Sequence, residues 1–262
     1  MMEKNNLKTS KRLLENIRPS KHVPSSRMHI LLGFALLLLV SCSKSKGGPD
    51  TLPVDPNEGG GGSETESVYL RNAKATHEFV KSAYSIGNGG YRVNTTDKSN
   101  TAYEWYVASQ LYADAAMVEI GDESYLPGMV ETLAWLKKLV DKNDPNGGYF
   151  AFANLDGSGA SGTKYIDDNA LAGMVYLAAY DVTKGQSKQD FLDAAKGCAN
   201  WLMNSNTWDN TFGGGFWWST EKTVKPTQSN GLAMQLFSRL YKITRNTLYK
   251  DWATSVNNWL NS

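Results

Sequence analysis

Three loops of one kind constrain the fold of this chain more than any other feature. Gly87-Asn88-Gly89-Gly90-Tyr91, Asn146-Gly147-Gly148-Tyr149-Phe150 and Gly213-Gly214-Gly215-Phe216-Trp217-Trp218 recur at intervals of about 60 residues. Each joins a glycine cluster to aromatics, follows a segment with helical apolar spacing, and leads through a longer polar stretch into the next such segment. From Val68 onward apolar residues recur three and four apart, as in Leu111, Ala115 and Val118 or Met129, Leu133 and Leu136, which marks amphipathic helices. The pattern predicts seven helices, at roughly 67–85, 101–121, 124–142, 166–184, 188–205, 227–244 and 247–261, and no core strand. One helical hairpin per repeat buries its apolar face only against neighbouring hairpins. Long aromatic loops alternate with short turns at Gly121-Asp122-Glu123, Lys184-Gly185-Gln186 and Arg245-Asn246, so the expected fold is all-α, an α/α toroid with its long loops on one rim.

A glycine loop lets backbone approach a ligand, and its aromatics offer flat faces and polar edges suited to a sugar, Trp217-Trp218 most clearly. The competing expectation is that these aromatics plug the gaps between helix ends. Lys164-Tyr165-Ile166-Asp167-Asp168-Asn169-Ala170 opens a helix directly after the second aromatic loop, which puts Asp167 and Asp168 on that rim. A retaining glycosidase needs two carboxyls about 5–5.5 Å apart, one to attack the anomeric carbon and one to protonate the leaving oxygen. Adjacent Asp residues can meet that separation, although Asp is also favoured as a helix cap and in a first turn.

In this order, Tyr165-Ile166-Asp167-Asp168-Asn169, then Gly213-Gly214-Gly215-Phe216-Trp217-Trp218, then Lys222, then Ser229-Asn230 opening a helix, the chain resembles glycoside hydrolase family 76, the endo-α-1,6-mannanases, over most of residues 100–262. The resemblance implies an (α/α)₆ barrel, retention of configuration, no cofactor, and an α-1,6-linked mannan backbone as substrate. It implies Asp167 as nucleophile and Asp168 as general acid/base, with Tyr149, Phe150, Tyr165, Trp217, Trp218, Lys222 and Asn230 expected to hold sugar. The residues alone leave the two Asp roles unassigned. Twelve helices complete such a barrel and seven are read here, so the domain over 67–262 is expected to be an incomplete toroid, with turnover by this chain in doubt.

Ahead of the helices, Met28 to Cys42 reads as a signal-peptide apolar run ending in Leu39-Val40-Ser41-Cys42, which looks like a bacterial lipobox. Residues 1–41 are therefore expected to be a leader, Cys42 a lipidation site, and 42–66 a flexible tether containing Gly59-Gly60-Gly61-Gly62. That places the protein in the bacterial envelope, anchored to a membrane through Cys42. Seven of the 27 basic and two of the 26 acidic residues precede Cys42, so the remainder carries about −4 and suggests no nucleic-acid partner. Cys198 is then the one other cysteine, read as a small core residue, and no Cys/His cluster has metal-ligand spacing. Two functional classes follow: a retaining endo-α-mannanase, or a non-catalytic glycan-binding surface lipoprotein that keeps the aromatic rim. Other α/α-toroid enzymes that use rim histidines fit less well, because His77 is the one histidine after the leader.

Overall fold

The computed structural model describes residues 66–96 and 101–262. The expected leader, Cys42 and nearly all of the tether lie outside the described residues. Within them are seven α-helices: α1 (Val68–Tyr84), α2 (Glu104–Glu119), α3 (Leu126–Leu136), α4 (Ile166–Val182), α5 (Gly185–Asn204), α6 (Thr227–Thr244) and α7 (Thr247–Leu260). Ser67 caps α1 by accepting from Leu70 N at 3.2 Å, and Asn246 caps α7 by accepting from Leu248 N at 3.0 Å. Where the apolar pattern reads one helix over 124–142, the chain forms a 3-10 turn at Glu123–Tyr125, then α3, then a second 3-10 turn at Lys137–Leu139. Apolar spacing of three and four does not distinguish these bonding patterns.

Helix α4 buries eleven of its 17 residues, so it has no solvent face of the kind an amphipathic surface helix shows. It packs against α2, α5 and α6, while α3 packs on α2 and α7 on α6. Helices α2, α4 and α6 thus form an inner row with α3, α5 and α7 as outer partners, the layering of an (α/α)₆ toroid of which part is present. Gly173 lets α4 approach its neighbours: a Cβ there would lie 2.6 Å from Leu236 Cδ2 and 3.1 Å from Cys198 Cβ. Cys198 itself is buried in this contact.

The three glycine loops share one construction. In the first, β1 (Ser85–Gly87) and β2 (Gly90–Tyr91) form a two-stranded antiparallel ribbon, a short piece of strand that the sequence pattern does not show. In the others, single antiparallel bridges join Val140 to Tyr149 and Trp208 to Phe216. The aromatic after each cluster (Tyr91, Tyr149, Phe216) points into the core and is buried. The glycine before it lies flat on a tryptophan of the next outer helix, Gly90 on Trp135, Gly148 on Trp201 and Gly215 on Trp259, where a Cβ would come within 2.3, 2.5 and 2.6 Å of the ring. Trp135 and Trp201 are fully buried. Burial of an indole of about 200 Å² contributes roughly 5 kcal/mol at ~25 cal/mol per Å², so the glycines stabilise the fold through what they leave room for.

Candidate active site

Two side chains tie each of the second and third rim loops to the helix that follows it. Asn169 Oδ1 accepts from Tyr149 N at 2.7 Å, and its Nδ2 donates to Tyr149 O at 3.3 Å and Tyr165 O at 2.8 Å. One repeat later Asn230 does the same, accepting from Phe216 N at 2.7 Å and donating to Phe216 O and Pro226 O, both at 3.0 Å. Five residues before each Asn stands a lysine. Lys164 Nζ reaches Asp141 at 2.9 Å, Asp144 at 2.7 Å and Gly147 O at 3.2 Å. Lys225 Nζ reaches the Asp209 carboxylate at 2.8 Å, Thr211 O at 2.8 Å and Gly214 O at 2.9 Å. That ammonium, with Thr211, holds the Asp209 carboxyl down at about 2.

The loops are also bonded to the preceding repeat. Ile166 N donates to Trp218 O at 2.8 Å and Thr220 N to Lys164 O at 3.3 Å, which lays the third loop across the N-terminus of α4. This contact brings Trp218 to Asp167: the indole Nε1 donates to both carboxyl oxygens, each at 3.0 Å. Asp168 N adds a donor to Asp167 Oδ1 at 3.2 Å. Helix capping accounts for one contact of the pair, the Asp168 N–H on Asp167, but not for its placement, because Tyr165 occupies the N-cap with no side-chain cap bond and Trp218 O takes the first free N–H.

Asp167 is 8% exposed, and Asp168 is half-buried beside it. Burial pushes the Asp167 carboxyl up to about 6 against the lowering effect of the Trp218 bond. Burial followed by the charge on Asp167 pushes Asp168 up to about 8. Near neutral pH the pair therefore holds one ionised and one protonated carboxyl, the division of labour acid/base chemistry requires.

The expected sugar contacts separate into three pairs and Lys222. Trp218 is 39% exposed, and its ring leans on Tyr165 with centroids 5.0 Å apart, so these two form an aromatic wall beside Asp167. Phe150 and Trp217 are half-buried beside the loop lysines, with Lys164 Nζ 5.5 Å from the Phe150 centroid and Lys225 Nζ 4.9 Å from the Trp217 centroid. Tyr149 and Asn230 are buried beneath the rim with their polar groups bound to protein, the Tyr149 hydroxyl accepting from Tyr176 at 3.1 Å. Lys222 is exposed in a turn at φ 56°; Lys225, three residues on, is the lysine built into the loop. The aromatic motif is therefore both plug and platform: Phe216 fills the core and Trp218 faces the rim. Replacing Asn230 by alanine frees both backbone groups of buried Phe216, at about 1–3 kcal/mol each. A melting temperature lower by several degrees, measured by circular dichroism, is the expected result, and an unchanged one would show that the clamp is dispensable.

Sequence reasoning missed Glu104, the first residue of α2, which is fully buried and interacts with the charges of Asp167 and Asp168. Its signal is positional, an acid opening a helix after a rim loop as Asp167 does one repeat later, but a helix start placed at 101 hid it. Asn169 and Lys164 were visible only as neighbours of the Asp pair.

The helical hairpins and rim carboxylates define an α/α-toroid protein. The sequence profile of glycosyl hydrolase family 76 matches residues 67–262, and the chain belongs to that family. It is 28% identical over 176 residues to a Schizosaccharomyces pombe protein named as a mannan endo-1,6-α-mannosidase, a match covering 63% of this chain and 36% of that one. Among solved structures, a family 76 α-mannanase of Bacteroides thetaiotaomicron superposes with a TM-score of 0.64 at 21% identity over 74% of this chain and 53% of its own. An inactive variant of an α-1,6-mannanase of Salegentibacter sp. HEL1_6, with two consecutive Asp changed to Asn and α-1,6-mannotriose bound, superposes at 0.55 and 24% identity over 72% and 50%. A cellobiose 2-epimerase of Bacillus thermoamylovorans shares the fold at 0.58 and 16% identity over 71% and 53%. The chain spans about a third of the curated relative and about half of these structures.

Proposed function

We propose that the chain carries the catalytic rim of a retaining endo-α-1,6-mannanase, held in the bacterial envelope by a lipid on Cys42. The observation that carries this reading is the adjacent carboxyl pair at the start of α4, one member buried and holding the Trp218 N–H, the other half-buried beside it. The inactive Salegentibacter relative supports it, since the change there falls on two consecutive aspartates and the bound ligand is an α-1,6-mannoside. Asp167 attacks C1 of a mannosyl unit while the C1–O6 bond breaks and the leaving oxygen takes the Asp168 proton. Water then gives a proton to Asp168, attacks C1 from the opposite side and releases Asp167, so the α configuration returns. Trp218 orients the nucleophile and, with Tyr165, offers an apolar face to the ring being cleaved.

Incubation with an unbranched α-1,6-mannan tests the reading: internal cleavage to oligosaccharides whose new ends are α by early-time NMR is expected. Cleavage needs Asp167 ionised, so it falls as pH drops below about 6, and Asp168 protonated, so it falls as pH rises above about 8. A rate that rises through pH 8 without declining would remove Asp168 as the acid. Binding of mannotriose without cleavage under any condition favours a glycan-binding rim instead.

A further inference from the structure

Glu104 is 0% exposed, and neither of its carboxyl oxygens has a hydrogen-bond partner among the described residues. Its backbone N–H donates to Ala151 O at 2.8 Å, the contact that Ile166 makes with Trp218 one repeat later. Glu104 thus stands at the position on α2 that starts α4, with its side chain buried next to the Asp pair. The titratable groups whose charges interact with it are Asp167 and Asp168 in the first turn of α4, Tyr176 further along that helix, Tyr149 in the rim loop and Cys198 on α5. All are acids, so none supplies a compensating positive charge. Burial, then the charges on Asp168 and Asp167, push Glu104 well above the usual carboxylate range.

We propose that Glu104 is a third carboxyl of the site that stays protonated and presents its O–H to Asp168 whenever Asp168 carries the charge, acting as a positioning residue for the step in which Asp168 gives up its proton. The proposal rests on the hydrolase reading above. When the glycosidic bond breaks, Asp167 becomes an ester and Asp168 a carboxylate, so the negative charge moves from one to the other. Asp167 has the Trp218 and Asp168 N–H donors for its charge. The Asp168 carboxyl has no protein donor among the described residues, and Glu104 is the neutral acid buried beside it. A charged Asp168 is a stronger acceptor for the Glu104 O–H than a protonated one.

The test compares Glu104→Gln, which keeps a neutral donor, with Glu104→Met, which keeps the volume and no donor. On an α-1,6-mannan the Asp168 proton leaves as the glycosidic bond breaks, so Met should lower kcat/KM about 10- to 100-fold, the loss of one hydrogen bond to a charged group. An activated aryl α-mannoside, whose leaving group needs little protonation, should be turned over without that loss. Gln should stay within about threefold of the native protein, because a donor to the charge remains. Met cleaving mannan like the native chain, or Gln as impaired as Met, overturns the proposal. Infrared titration gives a readout that needs no turnover: a protonated-carboxyl C=O band should persist above pH 8, where Asp168 is ionised, and vanish in Glu104→Gln. Absence of that band from the native chain overturns the proposal. Its presence in a chain that cleaves no mannoside supports a protonated Glu104 and counts against the hydrolase reading.

Discussion

Asp167→Asn is expected to reduce cleavage of α-1,6-mannan to the background rate, because an amide cannot form the glycosyl ester on which the first step depends. Asp168→Asn should lower mannan cleavage by about 10²–10⁴-fold, the usual contribution of a positioned acid. The two variants then diverge on an aryl mannoside whose leaving group needs little protonation. Asp168→Asn still forms the covalent intermediate but cannot activate water, so mass spectrometry should find a mannosyl adduct on Asp167. Asp167→Asn should form none. A helix-capping role predicts something different, since Asn caps about as well as Asp and both variants would keep activity and fold. The geometry already argues against capping, because Trp218 O takes the N–H of Ile166 and Tyr165 occupies the N-cap. Full activity in both variants, or an adduct on another residue, would take the pair out of the mechanism.

The largest effect on stability is expected from Gly148→Ala. The residue has φ +84°, where a side chain costs about 1–2 kcal/mol, and its Cβ would stand 2.5 Å from Cδ1 and Nε1 of fully buried Trp201. Trp201 cannot give way without disturbing the α4–α5 packing, and overpacking of this kind costs a further 1–3 kcal/mol or so. Together these lower the melting temperature by roughly 5–20 °C for a domain of this size. Gly147→Ala supplies the control: its φ is +78°, but the nearest contact of its Cβ would be Val140 Cγ1 at 3.5 Å, so it carries the backbone strain alone. Thermal unfolding followed by circular dichroism separates the two. Equal shifts would mean that the close approach to Trp201 is not what the glycine serves.

The seven helices, their order and the rim placement of Asp167-Asp168 were legible before any coordinates, because amphipathic spacing and glycine punctuation are local properties of the chain. The repeat was legible as well, although its physical content was not. Gly90, Gly148 and Gly215 look like flexible loop residues in the sequence, and each is a seat for a tryptophan about 45–55 residues further along the chain, a distance that no periodicity reports.

What the sequence by itself determined is the set of elements and the chemistry available to them: helical hairpins, a glycine-aromatic loop on each, and an acidic pair opening a helix. Tertiary structure alone decided which side chains share one environment. Trp218 meets Asp167 across 51 positions of sequence only because the third loop is hydrogen-bonded over the end of α4. Glu104 joins the pair because α2 and α4 lie side by side with their first turns on the same rim. Tyr149 and Asn230 are drawn under that rim because their hydrogen bonds close the loops. The reason is common to all of these. A proton affinity depends on burial and on charges within a few ångströms, and folding brings those together from parts of the chain that share no local pattern.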